Sequence, residues 1–208
     1  MQHLDAISLG VFSYLQAHER VSRVKAKPFV GASQIELRLW EQKNSPYMLP
    51  DDVKRFYSTT NGLSVQWFAP FRVGHFSLNS LQNLQRLSIK DLPSRCRSVD
   101  QHRLDLRKIS HQELIGFCLE ASPKYGTVAL VYLDEEPQVW FKDLRGSWSF
   151  LAETFTNYYR MMLTHLGIIS WQTIFSDSGV DPMRKVLYNS FYYDWYARLT
   201  CFLWVMNL

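Results

Sequence analysis

The chain has 208 residues, 47% of them hydrophobic and 15% aromatic, which suits one ordinary domain with a substantial core. Its formal charge of +4 is concentrated: seven basic residues between Arg86 and Lys108 stand against three acidic ones, unlike the wide basic footprint of a general nucleic-acid binder. Three widely spaced cysteines, Cys96, Cys118 and Cys201, exclude a disulfide framework and a paired zinc site, and point to a reducing compartment.

The first ten residues include Asp5 and no basic run, which is not the pattern of a secretory signal. Leu4, Ile7, Val11, Tyr14 and Leu15 recur at helical spacing, predicting a helix over 4–17. Val21 to Val30 alternates apolar and basic residues and reads as an edge strand, where lysine discourages unwanted pairing. Ser33, with Glu36 three residues on, predicts a capping box for a helix through Lys43, with Ile35, Leu39 and Trp40 as its apolar side. Pro50 opens a second helix, with Asp51 and Asp52 at the end that favours negative charge. Val53, Phe56, Tyr57 and Thr60 follow at helical intervals, and Asn61-Gly62 stops it. That stop predicts a positive φ at Gly62.

Leu63, Val65 and Trp67 then share one face of a strand, with Phe71 to Phe76 as its partner. A short helix is expected over 79–87. Lys90 to His111 has no clear period and reads as an extended loop carrying the charge cluster. Three strands follow, over 113–120, 126–133 and 138–142. In the middle one Val128, Leu130 and Tyr132 alternate with Ala129 and Val131; both sets are apolar, so it should be central and covered on both faces. The turns are Asp134 to Pro137 and Asp143 to Gly146. A helix is predicted over 150–166 with Leu151, Phe155, Tyr158, Tyr159, Met162 and Leu166 on one side and Gly167 as its stop. A shorter one spans 171–178, ended by Gly179. Asp181-Pro182 opens a last helix with Leu187, Phe191, Trp195, Leu199, Phe202 and Met206 along one stripe. That stripe either covers the sheet or serves as an interface. The apolar C-terminal run is too short to span a membrane.

The chemistry-bearing residues do not converge. Glu135 and Glu136 are adjacent in a turn, a solvated setting rather than an acid–base pair. The six histidines (His3, His18, His75, His102, His111 and His165) lack a two-ligand spacing on a helix. His165 falls in a last helical turn, where the dipole or a carbonyl accounts for it. No phosphate loop, nucleophile elbow or dinucleotide fingerprint occurs. Cys118 lies in an apolar strand and reads as a buried thiol. No catalytic residue, cofactor site or metal site is therefore expected. The expected partner-binding residues are Arg95, Arg97, Arg103, Arg107 and Lys108 in the basic stretch, suited to an acidic partner, and Phe191, Tyr192, Trp195 and Tyr196 near the C-terminus.

Two stretches carry a family resemblance. Leu49 to Trp67, LPDDVKRFYSTTNGLSVQW, resembles the motif of SMI1/KNR4-type domains: Leu-Pro, acids, an apolar helix, Asn-Gly and a strand. With Trp40 to Asn44 (WEQKN), Val139 to Asp143 (VWFKD) and Phe150 to Gly167 (FLAETFTNYYRMMLTHLG), the chain is similar to the subunit 2 family of tubulin polyglutamylase complexes over about 40–182. Residues 188–208 depart from that family's longer polar tail. The order of elements, helices then strands then helices, predicts an α+β domain; the resemblance implies that it is SMI1/KNR4-like, a mostly antiparallel sheet packed by helices, as one domain over 1–180, to which the apolar stripe adds a C-terminal helix over 181–208. It implies a non-catalytic scaffolding or adaptor subunit. The glutamate-chain addition to tubulin tails would belong to a separate tubulin-ligase-like catalytic subunit. Pro50, Asn61 and Gly62 carry over as fold determinants only. The implied partners are that ligase subunit, other polyglutamylase complex subunits and tubulin or microtubules, with no nucleic acid and no membrane. The implied location is the cytoplasm and cytoskeleton, including the centriolar or basal-body region. The alternative is an SMI1/KNR4-type interaction module with an unrelated partner.

Overall fold

A computed structural model describes residues 2–27, 29–70, 72–90, 92, 114–133, 136–176 and 179. The N-terminal segment forms two helices rather than one over 4–17: α1 (Gln2–Ile7) and α2 (Val11–Ala17). Leu9 and Gly10 between them have φ of 52° and 72°, a left-handed step no helix continues through. The Asp5 carboxylate then accepts from the Ser13 backbone N–H at 3.1 Å and from its hydroxyl. It thereby satisfies one of the orphan donors at the start of α2.

β1 (Arg23–Ala26), β2 (Leu63–Ala69) and β3 (Arg72–Leu78) make a three-stranded antiparallel sheet in that order, so the alternating basic strand is at an edge as expected. α3 (Gln34–Lys43) begins with the predicted box: Ser33 Oγ accepts from Glu36 N, and Glu36 Oε2 accepts from Ser33 N at 2.7 Å. Its buried side matches the predicted one only at Trp40. Leu37 and Trp40 face the core, whereas Ile35 and Leu39 are 69% and 57% exposed. Glu41 sets that rotation: it pairs with Lys54 at 2.8 Å and accepts from Leu49 N at 3.1 Å, fixing the line Leu37, Trp40, Glu41 and Asn44 inward.

α4 (Asp51–Thr59) follows Pro50 and buries Val53, Phe56 and Tyr57. Gly62 has φ 110° and turns the chain into β2, where Leu63, Val65 and Trp67 point inward. Gly74 of β3 lies opposite Trp67. A Cβ there would sit 2.0 Å from the Trp67 indole nitrogen, so only glycine allows the ring to cross the strand.

The helix expected over 79–87 is a 3₁₀ turn, Leu81–Asn83, followed by β4 (Arg86–Ile89). Leu87 and Ile89 alternate with exposed Arg86 and Ser88, the period of a strand, and pair with β5 (Leu114–Ser122). β6 (Gly126–Tyr132), β7 (Pro137–Lys142) and β8 (Trp148–Ala152) complete a five-stranded antiparallel sheet in the order β4-β5-β6-β7-β8. β6 is central and buried on both faces. Val128, Leu130 and Tyr132 join the main core with Phe117, Leu119 and Phe141; Ala129 and Val131 join a smaller cluster with Ile89, Trp140 and Trp148.

Two further expectations change. The helix predicted from residue 150 begins at Phe155 as α5 (Phe155–Thr164), because 148–152 is the strand β8, and Thr154 caps the helix by accepting from Asn157 N at 3.1 Å. Trp171–Phe175 is 3₁₀ rather than α. α5 buries Phe155, Tyr158, Tyr159 and Met162, so the aromatic stripe is core, as expected. The loop over 93–111, the turn residues Asp134 and Glu135, and the C-terminal extension over 181–208 lie outside the described residues. The architecture is α+β: two antiparallel sheets joined where Asn79 N donates to Leu119 O at 2.7 Å, with helices packed on them.

Candidate functional site

All nine residues expected to bind partners, Arg95, Arg97, Arg103, Arg107, Lys108, Phe191, Tyr192, Trp195 and Tyr196, lie outside the described residues. Arg86, at the start of the basic stretch, is described: its guanidinium sits 5.5 Å from the Tyr47 ring centroid, a cation–π distance.

The structure instead assembles a polar site that sequence reasoning missed. β5 is irregular between Cys118 and Glu120: Phe117 lies opposite Leu130 and Cys118 opposite Ala129, but Glu120, not Leu119, lies opposite Val128. One extra residue on β5 thus turns Glu120 onto the face it shares with Val128, the main-core face. Strict alternation would have sent it to the other side. Asn79 holds the irregularity, donating from Nδ2 to Cys118 O at 3.1 Å and from its backbone N–H to Leu119 O.

A carboxyl turned inward must find donors or hold its proton. Gln172, itself buried, donates from Nε2 to Glu120 Oε2 at 3.2 Å. The chain reaches Gln172 through left-handed residues Leu166, Gly167 and Ser170, and Trp67 Nε1 donates to Leu166 O at 2.7 Å, fixing that path. Tyr158 places its buried hydroxyl beside Glu120 and Gln172, close enough to pull the Glu120 carboxyl down against the effect of burial, though short of well-formed hydrogen-bond geometry. Burial pushes the Glu120 carboxyl up to about 8. Burial, followed by the Glu120 charge, pushes the Cys118 thiol up to about 11, so it is the inert thiol expected from its apolar strand. His75 and His165 are both shifted down by burial, toward the neutral ring. His165 also has the expected carbonyl partner, Met161 O at 2.7 Å from Nδ1.

Glu120 and Gln172 line a cavity of about 210 Å³ with Tyr125, Phe141 and Trp171 among its walls. A second, open groove of about 1150 Å³ runs between α1, α4 and α5, with Phe56, Phe155 and Tyr159 on its apolar side and Arg55 and Arg160 exposed along it. No group of three or more metal-ligating side chains occurs among the described residues, and no described helix is long and apolar enough to cross a membrane.

Fold and site together define an α+β protein of two antiparallel sheets under helices, whose described residues include a carboxyl-lined cavity and an open helical groove. The chain is 31% identical over 207 residues to the tubulin polyglutamylase complex subunit 2 proteins of Rattus norvegicus and Mus musculus, covering 88% of this chain and 69% of each relative. The Homo sapiens protein of that name is 30% identical over 206 residues, covering 88% of this chain and 68% of the relative. The chain belongs to the tubulin polyglutamylase complex subunit 2 family. No family model and no solved structure matches it.

Proposed function

We propose that this chain is a non-catalytic scaffolding subunit of a tubulin polyglutamylase complex, supporting glutamate-chain addition to tubulin tails by a separate ligase subunit. The observation that carries the reading is the similarity across 88% of the chain to three proteins named as subunits of such a complex. Two surfaces support it. α3 leaves Ile35 and Leu39, one helical turn apart, in solvent, an apolar strip of the kind a partner covers. The groove between α1, α4 and α5 offers a second docking place. The buried groups fit the same reading. One raised carboxyl, a thiol held protonated and two half-buried histidines do not make a nucleophile with a base among the described residues.

In this reading the fold is SMI1/KNR4-like, with a domain over 1–180 and an extension over 181–208. The basic residues Arg95, Arg97, Arg103, Arg107 and Lys108 meet an acidic partner, and Phe191, Tyr192, Trp195 and Tyr196 meet an apolar one. The complex works in the cytoplasm on the cytoskeleton, including the centriolar or basal-body region. The test has two arms. The purified chain, given ATP, glutamate and tubulin, is expected to incorporate no glutamate; tagged chain recovered from ciliated cells is expected to bring a tubulin-ligase-like subunit with it. Incorporation by the chain alone, or recovery without any ligase-like subunit, overturns the reading.

A further inference from the structure

We infer that the cavity beside Glu120 receives an alkyl-linked cation, an ammonium or guanidinium on an aliphatic stem, with Glu120 as its counter-ion. A glutamate turned toward a core is almost always paired. Among the described residues no cationic side chain pairs with it; Gln172 donates to it and the neutral Tyr158 hydroxyl lies beside it. His75 also lines the cavity, where burial shifts it toward the neutral ring. The Tyr158 hydroxyl, buried beside the carboxyl without a well-formed hydrogen bond, brings a dipole but no charge. The walls suit the same guest. Tyr125, Phe141 and Trp171 are aromatic, and aromatic walls around a carboxylate are the surroundings an alkyl cation prefers over a neutral group. At about 210 Å³ the space admits one such side chain or small amine and excludes anything much larger. The cation can belong to a lysine or arginine of another protein or to a free amine. This inference does not depend on membership of the complex.

The experiment titrates the full chain at pH 6, 7, 8 and 9 with n-butylammonium, standing for a free amine, and with Nα-acetyl-lysine methylamide, standing for a peptide side chain. n-Butanol and Nα-acetyl-norleucine methylamide are the neutral controls. At least one cation is expected to bind about tenfold or more tightly than its neutral control at pH 9. Its affinity should strengthen from pH 6 to pH 9, because proton and cation compete for one carboxylate. Binding of butylammonium alone identifies a free amine; binding of the lysine derivative identifies a protein side chain. Glu120→Gln should abolish the preference, while exposed Glu36→Gln should keep it. Should Glu120→Gln fold poorly, the wild-type Glu120 carboxyl carbon resonance decides: at pH 7 it should move toward its ionised position on adding the cation. Equal binding of cations and neutral controls, an unmoved resonance, or a preference that survives in Glu120→Gln overturns the inference.

Discussion

Gly62 joins α4 to β2 at φ 110°, and a Cβ there would stand 3.2 Å from both Leu78 O and Ser80 N. Two costs therefore coincide, a backbone conformation unfriendly to L side chains and a crowded approach to backbone atoms that cannot move aside. Gly62→Val is expected to destabilise by about 1–2 kcal/mol or more, read as a lowered urea midpoint with an unchanged slope. A wild-type midpoint would show that the strain is relieved elsewhere. Asn61-Gly62 was legible because this pair has few other uses between a helical and an alternating stretch. Asn61 does more than its neighbour required, since its Oδ1 accepts from Leu81 N at 2.8 Å and ties the turn to the next one. Glu120 was not legible. At the end of an apolar strand, alternation places it away from the core; one extra residue in β5, held by an asparagine about forty positions earlier, reverses its face. A register shift of this kind leaves no local mark in composition or period.

At the scale of elements, α4 and α5 share one cap. Asp52 sits in the first turn of α4, accepting from Val53 N at 2.9 Å, and its other oxygen accepts from the backbone N–H and hydroxyl of Thr156 at 2.8 and 3.0 Å in the first turn of α5. One carboxylate therefore satisfies orphan donors at two helix starts, where both dipoles favour negative charge. Asp52→Ala is expected to cost about 1–3 kcal/mol, with Asp52→Asn intermediate, by chemical denaturation. A loss below ~0.5 kcal/mol would mean that water replaces the carboxylate at no cost. The sequence placed Asp52 at a helix start but could not supply its second helix, 104 positions away. Two of the departures from expectation share a cause. In 148–152 and on α3, apolar residues are dense enough to satisfy more than one period, and tertiary partners decide: β7 recruits the first as a strand, and Glu41 with Lys54 rotates the second. Where only one period fitted, as in β2, the strand stands as predicted.

For the whole molecule, stability depends on pH through buried groups that pull in opposite directions. The folded state holds the Glu120 proton up to about 8, against an ordinary value of 4.5. Between those values the folded chain binds the extra proton, so this contribution is complete below about 4.5 and is lost as pH rises toward 8. His75 and His165 are shifted down from 6.5. The unfolded chain then binds the extra protons, and stability falls as pH drops below about 6.5. The melting temperature is expected to peak on the acid side of neutrality, and Glu120→Gln to flatten only the alkaline decline. An identical decline in both proteins would remove Glu120 as its source. The latch between Trp67 Nε1 and Leu166 O, 99 residues apart, has a different consequence, one measured in time. Synthesis at roughly 5–20 residues per second leaves about 5–20 s between the emergence of its two halves. Throughout that interval β2 lacks the elements that later cover it, and the Trp67 ring stays in water. The nascent chain therefore exposes an apolar strand for that long, and its soluble yield in cells is expected to rise with chaperone supply.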